Sequence, residues 1–153
     1  MQKLFTMLTV VAISTTISFS QNEKGTFTVG GNIGDVAWTS WAVSPTVGYF
    51  VMDGLAVGTG FEMYSGDNAQ MEGMFISPFA RYYFNDLVFA HANLSMLMEK
   101  DEDAETAIAI GTGLSLMWMD RVAIEPGIGL LSMEDYMGIS MNLGISFRLG
   151  MDE

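Results

Sequence analysis

Five side chains of this chain could act together: Glu62, Arg81, His91, Glu125 and Arg148. His91 is the only histidine among 153 residues. An imidazole can serve as general base for a serine or threonine hydroxyl, but no Ser-His-Asp set can be assigned to it from spacing. The two arginines and two glutamates could pair as ions. Such pairs either gate a narrow passage or tie a buried network together, because a buried charge left alone is costly. Arg81 and His91 each stand five residues from Asp86, and Glu125 stands five after Asp120. If those aspartates mark turns, the three side chains share a depth near one end of the fold, with Glu62 higher and Arg148 lower. A structural network that pairs buried charge is the favoured reading of the group.

Other stretches offer less. Glu99-Lys100-Asp101-Glu102-Asp103-Ala104-Glu105 could hold divalent cations through carboxylate oxygens. It lacks the glycine and terminal-glutamate spacing of a calcium loop, so a solvated acidic loop is expected. Gly58-Thr59-Gly60 and Gly111-Thr112-Gly113 lack the third glycine and following helix of a phosphate loop. Asn93-Leu94-Ser95 is a glycosylation sequon in form only, within a strand pattern. There is no cysteine, hence no disulfide and no thiolate metal site. No catalytic residue, metal ligand or cofactor is assigned, and enzymatic activity is not expected.

The elements that must position these groups announce themselves as hairpins. Met52-Asp53-Gly54 lies between apolar runs, and Asp-Gly in that setting is a strong hairpin signal. Ser77-Pro78 through Asn85-Asp86 repeats Ser44-Pro45 through Met52-Asp53 at an offset of 33 residues. Met119-Asp120 gives a third turn. The period predicts a strand meander. Eight strands follow, near 26–32, 38–51, 55–65, 73–84, 87–98, 106–118, 121–131 and 138–149, after a polar lead-in at 21–25. Most approach the ~9–11 residues that a tilted strand needs to cross a bilayer. Pro45, Pro78 and Pro126 fall inside strands, where proline cannot donate to a ladder. Bulges are expected at Pro45 and Pro78.

Alternation assigns the faces. Ile139, Met141, Leu143, Ile145, Phe147 and Leu149 share one face, with Ser140, Asn142, Gly144, Ser146 and Arg148 on the other. Strands 55–65 and 106–118 divide likewise into a bulky apolar face and a face of glycine, alanine and serine. A water-soluble, lipocalin-like barrel would be apolar inside and charged outside. Here the small face makes a poor solvated exterior and a good narrow interior. The bulky face then meets lipid, and closure removes edges that hydrocarbon cannot satisfy. Glu62, Arg81, Glu125 and Arg148 all fall on the small face, where they avoid lipid. Tyr49, Tyr82, Trp118 and Phe147 fall on the bulky face near the short turns or chain end. Trp38 and Trp41 lie toward the other rim, so two aromatic girdles are expected. Phe75, Phe79, Tyr83 and Phe89 point inward by the same parity and should obstruct the lumen.

Half of the chain is apolar, yet its net charge is −12. Only six lysines and arginines are present, which argues against a nucleic-acid partner. Residues 1–20 read as a signal peptide: Lys3, an apolar core at Leu4–Ile13, then Ser18-Phe19-Ser20 before Gln21. Residues 21–153 form one domain.

The signal, the eight amphipathic strands and the tight turns at one end resemble the small outer-membrane β-barrel proteins of the OmpA/OmpX type. Ser44-Pro45 through Gly58, and Ser77-Pro78-Phe79-Ala80-Arg81-Tyr82-Tyr83-Phe84, are especially similar to that family's outer membrane protein β-barrel domain. The resemblance covers about Thr26–Gly150. The chain departs from it by running six residues past Phe147, where such barrels end on an aromatic, and by lacking a C-terminal peptidoglycan-binding domain. The resemblance implies an all-β, eight-stranded, antiparallel up-and-down transmembrane barrel in the outer membrane of a Gram-negative cell envelope. Outer-membrane lipids and the barrel-insertion machinery would be its partners, and a monomer is expected. A non-enzymatic structural or surface-interaction role with a largely closed lumen is the expected function. The alternatives are a small porin-like channel and a soluble lipocalin-like carrier of an apolar ligand.

Overall fold

The computed structural model describes residues 22–36, 40–64, 74–98, 106–133 and 136–150. The signal-peptide reading, the acidic loop at 99–105 and Trp38 lie outside these residues. Period-two patterning produces β1 (Phe27–Val36), β2 (Ser40–Met52), β3 (Leu55–Tyr64), β4 (Met74–Tyr83), β5 (Val88–Met98), β6 (Thr106–Leu114), β7 (Leu116–Met117), β8 (Val122–Met133) and β9 (Tyr136–Leu149). Consecutive strands pair antiparallel, apart from β6 and β7, and β1 pairs with β9. β6 and β7 both pair with β8, so they are two segments of one stave. The result is a closed barrel of eight staves, as the meander period implied.

Three lapses in pairing fall at the prolines, apart from a register shift between Phe50 and Met52 beside the β2–β3 turn. The β2–β3 ladder is interrupted between Val43↔Met63 and Thr46↔Gly60, at Pro45. The β4–β5 ladder is interrupted between Ile76↔Met96 and Phe79↔Asn93, at Pro78. The gap between Gly113↔Gly127 and Leu116↔Ile124 lies at Pro126 and divides β6 from β7. Register is the same on both sides of each gap, so the bulges expected at Pro45 and Pro78 are absent. Each proline instead omits a donor on one seam and stays paired on the other, with Gly31, Thr59 and Leu143 respectively. Across the Pro78 gap the Ser77 hydroxyl donates to Ser95 Oγ at 2.8 Å.

The first strand, weak in sequence, runs a full ten residues. Gly30 is needed for close approach: a methyl group there would strike the Ile145 carbonyl and lie 2.8 Å from Ser146 Cα. The turns are built locally. Gly54 takes φ +77°. Asn85 Oδ1 accepts from the Leu87 and Val88 amides at 2.8 and 2.7 Å, an Asx-type turn. Met119 adopts φ +69°, the one positive φ outside glycine among the described residues.

The outer face is apolar all round. Ile33, Val47, Val57, Ile110, Ile128 and Ile145 are among its exposed side chains. Tyr49, Tyr82, Trp118 and Phe147 are exposed there too, and Tyr49 packs on Phe27 at 4.8 Å between ring centroids. Trp41 stands opposite Asp35 in the β1–β2 register, and its side chain is outside the described set. The core is the lumen itself. Phe50, Ala56, Tyr83 and Phe89 form a buried cluster in its lower part, toward the short turns. Phe79 lies over Gly48 and Gly58, whose missing side chains leave it room.

Candidate functional site: a charged plug across the lumen

Alternation brings Arg81 and Tyr83 inward from β4, Glu125 inward from β8, and Ser146 and Arg148 inward from β9. The Glu125 carboxylate is the centre of the cluster, at 1 % exposure. Arg81 Nη1 donates to its Oε2 at 2.6 Å, across the lumen from β4 to β8. Arg148 Nη2 donates to its Oε1 at 3.1 Å. The Tyr83 hydroxyl donates to Oε1 at 3.0 Å, Ser115 Oγ to Oε1 at 3.2 Å and Ser146 Oγ to Oε2 at 3.1 Å. Five donors thus satisfy one carboxylate, the condition under which a buried charge is tolerated.

Arg148 is itself at 0 % exposure. Its guanidinium donates to Thr28 Oγ1 at 3.0 Å, Ser146 Oγ at 3.2 Å and the Tyr83 hydroxyl at 3.0 Å. It also lies 5.3 Å from the Tyr83 ring and 5.4 Å from the Phe50 ring. Arg81 sits over Phe89 at 4.5 Å and Phe79 at 5.7 Å. Cations over aromatic faces gain from the ring quadrupole when desolvated. That gain supports two guanidiniums held by a single carboxylate.

The structure therefore joins Arg81, Glu125 and Arg148: Arg148 stands lower on β9, four residues beyond Gly144, the register partner of Glu125, and its guanidinium reaches up to the carboxylate. His91 is the register partner of Arg81 but makes no hydrogen bond to the cluster. Its Nδ1 is buried without a partner, its ring packs 5.9 Å from Phe89, and its Cε1 lies against Gly111. Glu62 stands opposite Phe75, whereas Arg81 stands opposite Ala56. An offset of six positions along β3 separates these levels by roughly 20 Å, too far for Arg81 to pair with Glu62. The Glu62 side chain lies outside the described residues.

Tyr83, Ser115, Ser146, Thr28 and Phe50 complete the cluster. Tyr83 carries a sequence signal, since it follows Arg81 by two on the same face; so does Ser146, two before Arg148. Ser115 and Thr28 could not be found this way, because their contacts depend on which staves face each other across the ring. Arranged so, ions and aromatic rings from four staves meet inside the barrel around one carboxylate.

No protein-family model matches the chain, and no curated protein matches it. Solved structures do match. The N-terminal β-barrel domain of Pseudomonas aeruginosa OprF is similar with a TM-score of 0.66 and 14 % identity, over 82 % of this chain and 98 % of that one. A de novo designed transmembrane β-barrel aligns with a TM-score of 0.59 at 14 % identity, over 84 % of this chain and 99 % of the design. The designed barrel TMB2.3 aligns with a TM-score of 0.58 at 14 % identity, over 85 % and 98 %. At this identity the likeness is one of fold: the chain has the closed, eight-stranded antiparallel architecture of small outer-membrane barrels.

Proposed function

We propose that the chain is an integral outer-membrane barrel without enzymatic activity, with a structural or surface-interaction role and a largely closed lumen. The observation that carries this reading is the inversion of the molecule. Its exposed face is an apolar belt, while the strand charges Arg81 and Arg148 turn inside to meet Glu125. Hydrocarbon is the solvent that such a face suits, and a closed barrel leaves it no unpaired edge. A soluble carrier of the lipocalin type would need the opposite arrangement.

The same reading assigns the remaining roles. A signal peptide at 1–20 delivers the chain across the inner membrane, and the insertion machinery and outer-membrane lipids are its partners. The barrel is a monomer, and the acidic stretch 99–105 is available to divalent cations. His91, packed on Phe89 and Gly111, contributes to the wall rather than to a reaction.

Refolding tests this. The chain from Gln21 onward should stay soluble only with detergent and should fold into lipid vesicles as a protease-resistant monomer. A folded, monomeric species in plain buffer would favour the soluble carrier instead.

A further inference from the structure

We propose that residues 22–26 form a lid that closes the turn end of the lumen. In sequence residues 22–25 belong to a polar lead-in and Thr26 opens the first strand, yet Asn22 and Thr26 are each 2 % exposed. The Thr26 amide donates to the Glu23 carbonyl at 3.1 Å, and Gly25 takes φ +98°. That is the positive φ which a type II turn requires at its third residue. The turn directs the chain away from β1 and underneath the barrel.

Its contacts trace the path. The Gly25 amide donates to the Phe50 carbonyl at 2.9 Å, and the Gly54 amide donates to the Asn22 carbonyl at 2.8 Å. The Lys24 amide donates to Asp53 Oδ1 at 2.9 Å, and Asn22 Nδ2 reaches Asp86 Oδ1 at 3.5 Å. The first three contacts involve β2 and the β2–β3 turn; the last involves the β4–β5 turn. In the ring of eight staves that turn lies opposite β1. A segment that leaves β1 and reaches Asp86 must cross the floor of the lumen, below Phe50 and Arg148.

Its tethering makes this segment a lid rather than a fixed floor. Each hairpin turn is bound to a strand on both sides and cannot leave without unzipping a ladder. Residues 22–26 are bound only to β1 once the signal is removed before Gln21. Releasing them breaks the contacts above and, at most, the terminal bond from the Phe50 amide to the Thr26 carbonyl at 2.9 Å, while the β1–β2 ladder from Phe27 onward stays paired, the low-cost kind of local opening. The proposal rests on the closed-lumen reading for what lies above the lid, and the experiment separates the two.

The chain has no cysteine, so a single introduced one can be followed cleanly. Ala56 is an inward residue at 1 % exposure, opposite Phe50 in the β2–β3 register. Ala56→Cys in the folded barrel, in detergent micelles, is treated with a small charged methanethiosulfonate reagent. Labelling should be slow, and about tenfold or more faster after deletion of residues 22–24, because the opening step is gone. Asn22→Ala with Asp53→Ala should give the same direction and serves if the deletion does not fold. Arg81→Gln with the lid intact should leave Ala56→Cys as slow as its parent; fast labelling there would fault the plug and not the lid. Rates in both lid variants equal to the parent, or fast labelling in the parent itself, would overturn the lid.

Discussion

Glu125 is the residue on which the interior depends, and its surroundings rank the consequences of mutation. Glu125→Ala would leave two buried guanidiniums facing each other with no counter-charge. Arg81→Ala would leave Glu125 and Arg148 as a neutral pair. Removing one partner of a buried ion pair costs ~3–5 kcal/mol. Glu125→Ala should therefore reach or exceed the top of that range, and Arg81→Ala should stay at or below its lower end. Urea unfolding of the refolded barrel measures both. A milder Glu125→Ala than Arg81→Ala would mean that the aromatic faces, not the carboxylate, hold the cations. Much of this cluster was legible in sequence: parity alone put Arg81, Glu125 and Arg148 inside with Phe79, Tyr83 and Phe89. What parity could not supply was the alignment of staves distant in the chain. It left Glu62 open as a partner for Arg81, and only the β3–β4 register removes it.

At the scale of elements, the faces and turns make separate claims. Leu143 and Asn142 are neighbours on β9, the first exposed on the belt and the second inward. Leu143→Arg puts a charge into hydrocarbon and should cost up to ~2–4 kcal/mol near the midplane. Asn142→Arg should cost far less, and equal folding yields in vesicles would exchange inside and outside. The β7–β8 turn carries a different liability. Met119 at φ +69° occupies a region where a side chain costs ~1–2 kcal/mol and glycine nothing comparable. Met119→Gly should raise stability, by less than that figure because glycine also loosens the unfolded chain; a loss would mean that the methionine side chain makes contacts worth more than its strain. Strand number, order and face were readable because lipid and lumen impose opposite chemistry on alternate residues. The proline positions were less readable. A bulge and a silent gap both accommodate a missing donor, and only the unchanged register across Pro45, Pro78 and Pro126 distinguishes them. The lead-in was unreadable for another reason: its burial comes from the turns it crosses, not from any apolar pattern of its own.

For the molecule as a whole, the question is whether water and ions can pass. Eight staves enclose an interior about as wide as the side chains that fill it. Here the lower half is occupied by Phe50, Phe79, Tyr83 and Phe89, with Arg81, Glu125 and Arg148 bonded across the remaining space. An ion entering that level would have to separate a 2.6 Å ion pair and shed its own hydration among aromatic rings. Both steps are costly in a medium of low dielectric. The upper half is lined by small and amide side chains such as Ser44, Ser77, Asn93 and Ser95, so it can be wet without being continuous with the other side. The monomer should therefore show no sustained, porin-like conductance in planar bilayers, across a range of salt concentrations and voltages. Brief, rare openings are compatible with local breathing of the ion pair. A stable open level in the unmodified protein would place it with the small channels, and would require an arrangement in which Arg81 and Arg148 leave Glu125 together.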